Sequence, residues 1–144
     1  MNAPWSYRQP YLALISDEPE AAQRLTMMLL AHGAPSVCRW ERGEQALVEL
    51  ASGGVLPDLL VIDLREPPEA TAALLKSIRS TPCAEMVTIA AMVPARERQL
   101  QEMQFAAGAD AVFERLAENT DYRREAARLV SYWVRSQRLD AVGA

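Results

Sequence analysis

The chain has 144 residues and a formal net charge of −4, with 50% hydrophobic and 24% charged residues. This length and composition predict one domain with a sizeable core, and the acidic balance argues against a nucleic-acid-binding domain, which is normally basic. No apolar run approaches the roughly 18 residues of a membrane span and no apolar leader precedes residue 11, so we expect a cytoplasmic protein without membrane association.

Strand and helix signals alternate along the chain. Short apolar runs predict strands, and longer segments with apolar residues three and four positions apart predict helices, several of them ended by glycine. The first predicted helix begins at Glu18-Pro19 and stops at Gly33. The predicted strands cover residues 11–16, 36–40, 58–63, 86–92 and 111–113, and the later predicted helices cover 43–52, 69–79, 96–107 and 121–138.

This alternation predicts right-handed βαβ units and a parallel sheet. Five units in one domain match the flavodoxin-like doubly wound α/β fold, a five-stranded parallel sheet of order 2-1-3-4-5 with helices on both faces. We expect an N-terminal tail at 1–10, the domain at 11–138 and a C-terminal tail at 139–144.

Two of the apolar runs end in acid. Leu12 to Ile15 is followed by Ser16-Asp17, and Leu59 to Ile62 is followed by Asp63. Open α/β sheets bind ligands at the carboxyl ends of their strands, and the first and third strands are neighbours in this order. Asp17 and Asp63 are therefore expected to share an acidic pocket, which a cation or a basic side chain would have to stabilise.

Three stretches resemble the receiver domain of bacterial two-component response regulators, the family of the chemotaxis regulator. They are residues 14–19 with the first acidic motif, residues 57–67 with the phosphoacceptor strand, and residues 106–113 with the fifth-strand motif. The resemblance covers roughly residues 11–137. It implies a non-enzymatic, stand-alone receiver in phosphorelay signalling. A histidine kinase or phosphotransfer protein would act on it, and a downstream protein would read it.

The resemblance also assigns roles to residues. Asp63 would accept the phosphoryl group, and Mg²⁺ would be held by Asp17, Asp63 and the backbone carbonyl of Arg65. A metal ion and a further cation would offset the charge that accumulates during phosphoryl transfer. The pocket around them is expected to include Ser16, Glu18, Arg65 and Pro67.

Three positions depart from the family pattern. Ser16 stands in place of an acid, Val93 in place of the hydroxyl residue that binds the phosphoryl group, and Arg115 in place of a lysine. Valine has no hydroxyl donor, and arginine is a planar fork rather than a compact ammonium. Lys76, the one lysine, lies in a helix and cannot substitute. The phosphorylation site is thus incomplete, and Mg²⁺ binding is expected to be weakened or absent.

Two functions remain open from the sequence. In the first, Asp63 is phosphorylated and the domain is a switch. In the second, the domain is a phosphorylation-independent pseudo-receiver that serves as an interaction adaptor, with Arg65 or Arg115 taking the place of the metal. Arg65 itself either covers the acidic pocket or points to solvent. A hydrolase centred on Ser16 is disfavoured because no GxSxG elbow is present. A small-ligand binder at the same sheet edge is disfavoured because no glycine-rich phosphate loop follows the first strand.

The remaining features fit a structural role or a partner surface. Cys38 and Cys83 lie far apart without a CxxC motif, which argues against a disulfide or a zinc site, and His32 is expected at a helix end. The stripe of the last helix includes Trp133, which either packs on the sheet or serves a partner. The part past Arg135 is a candidate surface for a homodimer.

Overall fold

The structure, a computed structural model, describes residues 10–65, 67–115 and 122–143, with side chains to residue 136. Five parallel strands form one sheet of order β2-β1-β3-β4-β5, which confirms the predicted flavodoxin-like fold. The strands are β1 (Leu12–Ser16), β2 (Val37–Trp40), β3 (Leu59–Asp63), β4 (Ile89–Pro94) and β5 (Ala111–Arg115). The helices are α1 (Pro19–Ala31), α2 (Gly43–Ala51), α3 (Pro68–Arg79), α4 (Arg98–Ala107) and α5 (Arg123–Gly143).

β1 and β3 lie side by side at the centre of the sheet. Every residue of both strands is buried, as continuous apolar runs predict for strands covered on both faces. Their register pairs Leu12 with Leu59 and Ser16 with Asp63, so both strands end at the same level. The polar residues that follow them therefore meet at one edge of the sheet.

Two apolar layers cover the sheet. Helices α2, α3 and α4 pack on one face, and α1 and α5 pack on the other. Trp133 is half-buried and packs against the α1–α5 layer, in agreement with a core role for this stripe. The first layer is centred on Ile15, Leu60, Ile62, Leu75 and Ile78, and the second on Leu14, Leu25, Leu29, Val61 and Leu129.

The predicted fourth strand, 86–92, is placed too early. β4 covers Ile89–Pro94, while Met86 lies in a turn and is 87% exposed. The start of the strand is fixed by polar contacts: the Nη1 of Arg79 donates to the carbonyl of Val87 at 2.7 Å, and the amide of Ile89 donates to Asp110 at 2.8 Å. Apolar residues before and after this boundary look alike in sequence, so composition could not locate it.

Both ends of the last βα unit also differ from expectation. β5 continues to Arg115, two residues beyond the predicted 111–113. α5 begins at Arg123 and runs to Gly143, so residues 139–143 are helical. The expected helix start at residue 121 lies outside the described residues. Among those described, no helix combines the length and the apolar character that a membrane crossing would need.

Candidate functional site

Asp63 occupies the centre of the carboxyl edge of the sheet. It is the last residue of β3, its side chain is fully buried, and its register neighbour on β1 is Ser16. A buried carboxylate is costly without a partner, so the groups around it decide the chemistry of the site.

Arg115, at the end of β5, provides the main partner of Asp63. Its Nε lies 2.7 Å and its Nη2 2.6 Å from the same oxygen, Oδ1, and its side chain is 12% exposed. Nη2 also lies 3.1 Å from the carbonyl of Leu64. The guanidinium thus neutralises Asp63 and links β5 to the end of β3.

Arg65 provides a second cation. Its Nη2 lies 3.9 Å from Oδ2 of Asp63, beyond hydrogen-bond distance, and its side chain is 38% exposed. The same nitrogen donates a hydrogen bond to the hydroxyl of Tyr122. Of the two orientations open from the sequence, the structure has the guanidinium over the pocket. Within the described part of the chain, Oδ2 of Asp63 has no hydrogen-bond partner.

Tyr122 was not singled out from the sequence. The residue is 5% exposed, and burial raises the pKa of its phenol, with the negative charge of Asp63 adding to the shift. The residue lies just before α5, outside any periodic pattern, which explains why no sequence signal found it. Arg39 of β2 was also missed: its Nη2 donates to the carbonyl of Ser16 at 2.9 Å. An arginine on the strand next to β1 was the available signal.

The remaining acids are placed differently from Asp63. The carboxylate of Asp17 is exposed, and its Oδ1 accepts the backbone N–H of Arg65 at 3.2 Å. Glu18 caps α1, because its Oε1 accepts the amide of Glu20 at 2.8 Å. Asp17 and Asp63 thus flank the same edge of the sheet, with the Arg65 backbone attached to one acid and its side chain near the other.

Two further residues that the sequence placed at the site, Val93 and Pro67, contribute no polar side chain to it. Val93 lies near the end of β4, is 2% exposed and brings no hydroxyl to this edge. Pro67 is exposed and precedes α3.

Lys76 is exposed on α3, within a helix as the sequence predicts. Cys38, Cys83 and His32 are all exposed, and the ring Nδ1 of His32 lies 2.8 Å from the carbonyl of Met28 at the end of α1.

The donor set fits a divalent metal poorly. Two carboxylates, Asp17 and Asp63, are matched by two guanidinium groups, Arg65 and Arg115, so these four described side chains together leave no negative charge in excess to attract Mg²⁺. Ser16 is buried and adds no acid. In the ranges that the structure describes, no three His, Cys, Asp or Glu residues are grouped so that they could hold a metal ion.

Comparisons with known proteins give the fold a family context. No family model and no curated protein matches the chain, whereas many solved structures resemble it. The phosphorylated cyanobacterial phytochrome response regulator RcpA matches with a TM-score of 0.75 and 15% identity, over 88% of this chain and 95% of that chain. A response regulator from Hahella chejuensis matches with a TM-score of 0.74 and 18% identity, over 87% and 95%.

A third likeness comes from a structure with a bound metal. The receiver domain of the sensor histidine kinase PA1611 from Pseudomonas aeruginosa PAO1, with a magnesium ion coordinated in its active-site cleft, matches with a TM-score of 0.68. It is 22% identical over 88% of this chain and 98% of that chain. The chain has the fold of response-regulator receiver domains.

Proposed function

We propose that this receiver-fold chain is a two-component signalling module that works by protein interaction, without phosphorylation of Asp63. The observation that carries the proposal is the pair of arginines on Asp63. Arg115 occupies Oδ1 through two nitrogens at 2.7 and 2.6 Å, and Arg65 lies 3.9 Å from Oδ2. The carboxylate is therefore neutralised from two directions by groups that belong to the chain.

The charge around Asp63 argues against phosphoryl transfer. Phosphoryl transfer to a carboxylate requires cations that are free to bind the incoming oxygens, usually with Mg²⁺ among them. Here Arg115 is already committed to Asp63, and its Nη2 also donates to the carbonyl of Leu64. Val93 supplies no hydroxyl for a phosphoryl oxygen. The incoming group would have to displace an ion pair whose acid is fully buried.

The second candidate is the phospho-accepting switch, and one observation favours it. Among the described residues, Oδ2 of Asp63 has no hydrogen-bond partner, and a carboxylate oxygen without a partner is the atom that would attack phosphorus. In this case Asp17, Asp63 and the Arg65 carbonyl would hold Mg²⁺, and a histidine kinase or phosphotransfer protein would supply the phosphoryl group.

Both candidates require a protein partner. In the adaptor, a downstream protein recognises one state of the domain, in which Arg115 and Arg65 neutralise Asp63. In the switch, it distinguishes phosphorylated from unphosphorylated Asp63. The outer part of α5, past Arg135, is proposed as the surface for a homodimer, although its side chains beyond residue 136 lie outside the described part of the chain. Sedimentation of the chain at several concentrations would detect the dimer.

Phosphorylation by a small donor separates the two candidates. The chain is incubated with acetyl phosphate and Mg²⁺, and its intact mass is measured beside that of Asp63→Asn. We expect no phosphoryl adduct on either protein. An adduct on the natural chain that is absent from Asp63→Asn would overturn the adaptor and establish the switch.

A magnesium titration followed by calorimetry tests the charge argument separately. We expect no saturable binding to the natural chain and measurable binding to Arg65→Ala, because removing one guanidinium leaves the edge with net negative charge. Arg24→Ala, at an exposed position on α1, is the matched control and should not bind. Saturable binding to the natural chain would contradict the charge argument.

A further inference from the structure

Tyr122 joins the Asp63 pocket to the last helix. Its backbone carbonyl accepts the amide of Ala126 at 2.9 Å, so it provides the first hydrogen bond of α5. Its side chain extends the other way, where its hydroxyl accepts a hydrogen bond from Nη2 of Arg65. One residue therefore contacts both the charged edge of the sheet and the first turn of α5.

The backbone of Tyr122 shows that this position is held by its surroundings. Its φ is +67°, in the left-handed region that aromatic residues rarely adopt. Such a conformation is energetically unfavourable and persists where contacts enforce it. Packing supplies such contacts, since Tyr122 is 5% exposed and belongs to the α1–α5 layer.

We infer that Tyr122 is a positioning residue that transmits the charge state of the Asp63 pocket, through Arg65, to the first turn of α5. Arg65 is held between two groups, because its Nη2 bonds the Tyr122 hydroxyl and lies 3.9 Å from Oδ2 of Asp63. If the charge on Asp63 is removed, Arg65 loses the attraction that keeps it over the pocket. Its half-exposed side chain then leaves Tyr122, and the strained start of α5 opens more often.

The hydrogen bond between Arg65 and Tyr122 links the pocket to α5 through polar groups. Val93, near the end of β4, has no polar group to bond across the pocket. The Arg65–Tyr122 bond provides a polar connection between the pocket and a helix of the α1–α5 layer. A partner that neutralises or displaces Arg65 at the sheet edge would thereby alter the start of α5. The inference does not depend on which candidate function is correct, because the group at Asp63 carries negative charge in both.

A double-mutant cycle read by amide hydrogen exchange tests the connection. Asp63→Asn is made in the natural chain and in Tyr122→Phe, which keeps the ring and removes the hydroxyl. In the natural background we expect exchange of the Ala126 amide to accelerate about fivefold or more, the lower range of measured couplings between sites. In the Tyr122→Phe background we expect a change of less than about twofold.

Two controls show whether the effect is local. Tyr132→Phe, on α5, removes a hydroxyl elsewhere, and Glu44→Gln removes an exposed charge on α2; neither should change the response. Amides of β1 such as that of Leu14 report global stability, so any acceleration by Asp63→Asn should be the same there in both tyrosine backgrounds. Equal acceleration by Asp63→Asn in both tyrosine backgrounds, or equal acceleration in β1 and α5, would overturn the inference.

The cycle does not depend on Tyr122→Phe alone. Arg65→Ala removes the donor of the same bond from an accessible position, and Asp63→Asn should have no added effect on Ala126 in that background. A retained effect would contradict the inference. No magnesium or phosphodonor is present, so a phosphorylation experiment that refutes the adaptor leaves this result unaffected.

Discussion

Arg115 stabilises Asp63 in a way that a lysine could not reproduce. Two of its nitrogens lie within 2.7 Å of one carboxylate oxygen, while Nη2 also lies 3.1 Å from the carbonyl of Leu64. A lysine has a single nitrogen to share among these acceptors. Arg115 therefore carries the same charge as a lysine would, but it joins Asp63 and the Leu64 carbonyl through more than one nitrogen.

Replacing Arg115 with methionine should destabilise the domain. The change leaves Asp63 fully buried without its main cation, which typically costs about 3 kcal/mol or more. Urea unfolding measures the loss. The double variant Arg115→Met with Asp63→Asn should lose clearly less than the two single variants together, because the uncompensated charge is gone. Losses that add to within about 0.5 kcal/mol would show that the two residues are not coupled.

Tyr122 should make stability depend on alkaline pH. Burial, and then Asp63, raises the pKa of its phenol above the ordinary 10.0, so the folded state holds this proton more tightly than the unfolded state. The resulting stabilisation is complete below pH 10.0 and is lost as pH rises through the raised pKa. Urea unfolding at a series of alkaline pH values should show a smaller decline for Tyr122→Phe. Identical declines would contradict this origin.

At the scale of elements, Arg79 fixes the amino end of β4. Its guanidinium donates to the carbonyls of Gly108 at 2.7 Å and Val87 at 2.7 Å and to the carboxylate of Asp110 at 2.8 Å. These bonds join the end of α3 to the turn before β4 and to the end of α4. Gly108 has a φ of +125°, and a Cβ there would lie 2.8 Å from Cγ of Arg79, so the close approach requires glycine.

Removing the Arg79 side chain should loosen this junction. Arg79→Met keeps the length of the side chain but leaves the carbonyls of Gly108 and Val87 without their donor, at a cost of about 2 kcal/mol. Lys76→Met, at an exposed position on the same helix, should change stability by less than about 0.5 kcal/mol. Chemical denaturation compares the two, and equal losses would show that the bonds contribute nothing specific.

The strands whose position could be predicted are those in which every residue is apolar up to the polar residue at the end. β1 and β3 are apolar throughout because both of their faces are buried, and their limits follow from the acids after them. The start of β4 depends on Arg79, which acts from a different element, and a local pattern cannot show such a contact. The sequence did not indicate Tyr122 for the same reason, because its contact with the Arg65 side chain joins residues far apart in the chain.

The sequence predicted where the candidate site lies in the sheet, but it did not predict the contacts between its side chains. Strand order put Asp17 and Asp63 at one edge, and arginine neutralisation was one of two alternatives open from the sequence. Deciding which oxygen each guanidinium reaches required the geometry, with Arg115 on Oδ1 and Arg65 near Oδ2. The roles of these residues in binding metal or phosphoryl groups stay predictions that the proposed experiments test.

For the whole molecule, the two apolar layers should contribute independently to stability. Leu25 and Leu75 are both fully buried, but they lie on opposite faces of the sheet. Leu25→Ala and Leu75→Ala should each cost about 3 kcal/mol, and the double variant should lose their sum within about 0.5 kcal/mol. Equilibrium unfolding of the three variants measures this. A deficit or excess of more than about 1 kcal/mol would show that the sheet couples the layers.

The strand order also has a consequence for biosynthesis. A ribosome completes β3 long before it adds Arg115 on β5 and Tyr122 before α5. A nascent polypeptide that already contains the first three strands thus carries Asp63 without its principal counter-ion, and withdrawing that acid from water is then unfavourable. We therefore expect closure of the central strands around Asp63 to become favourable only when Arg115 has emerged.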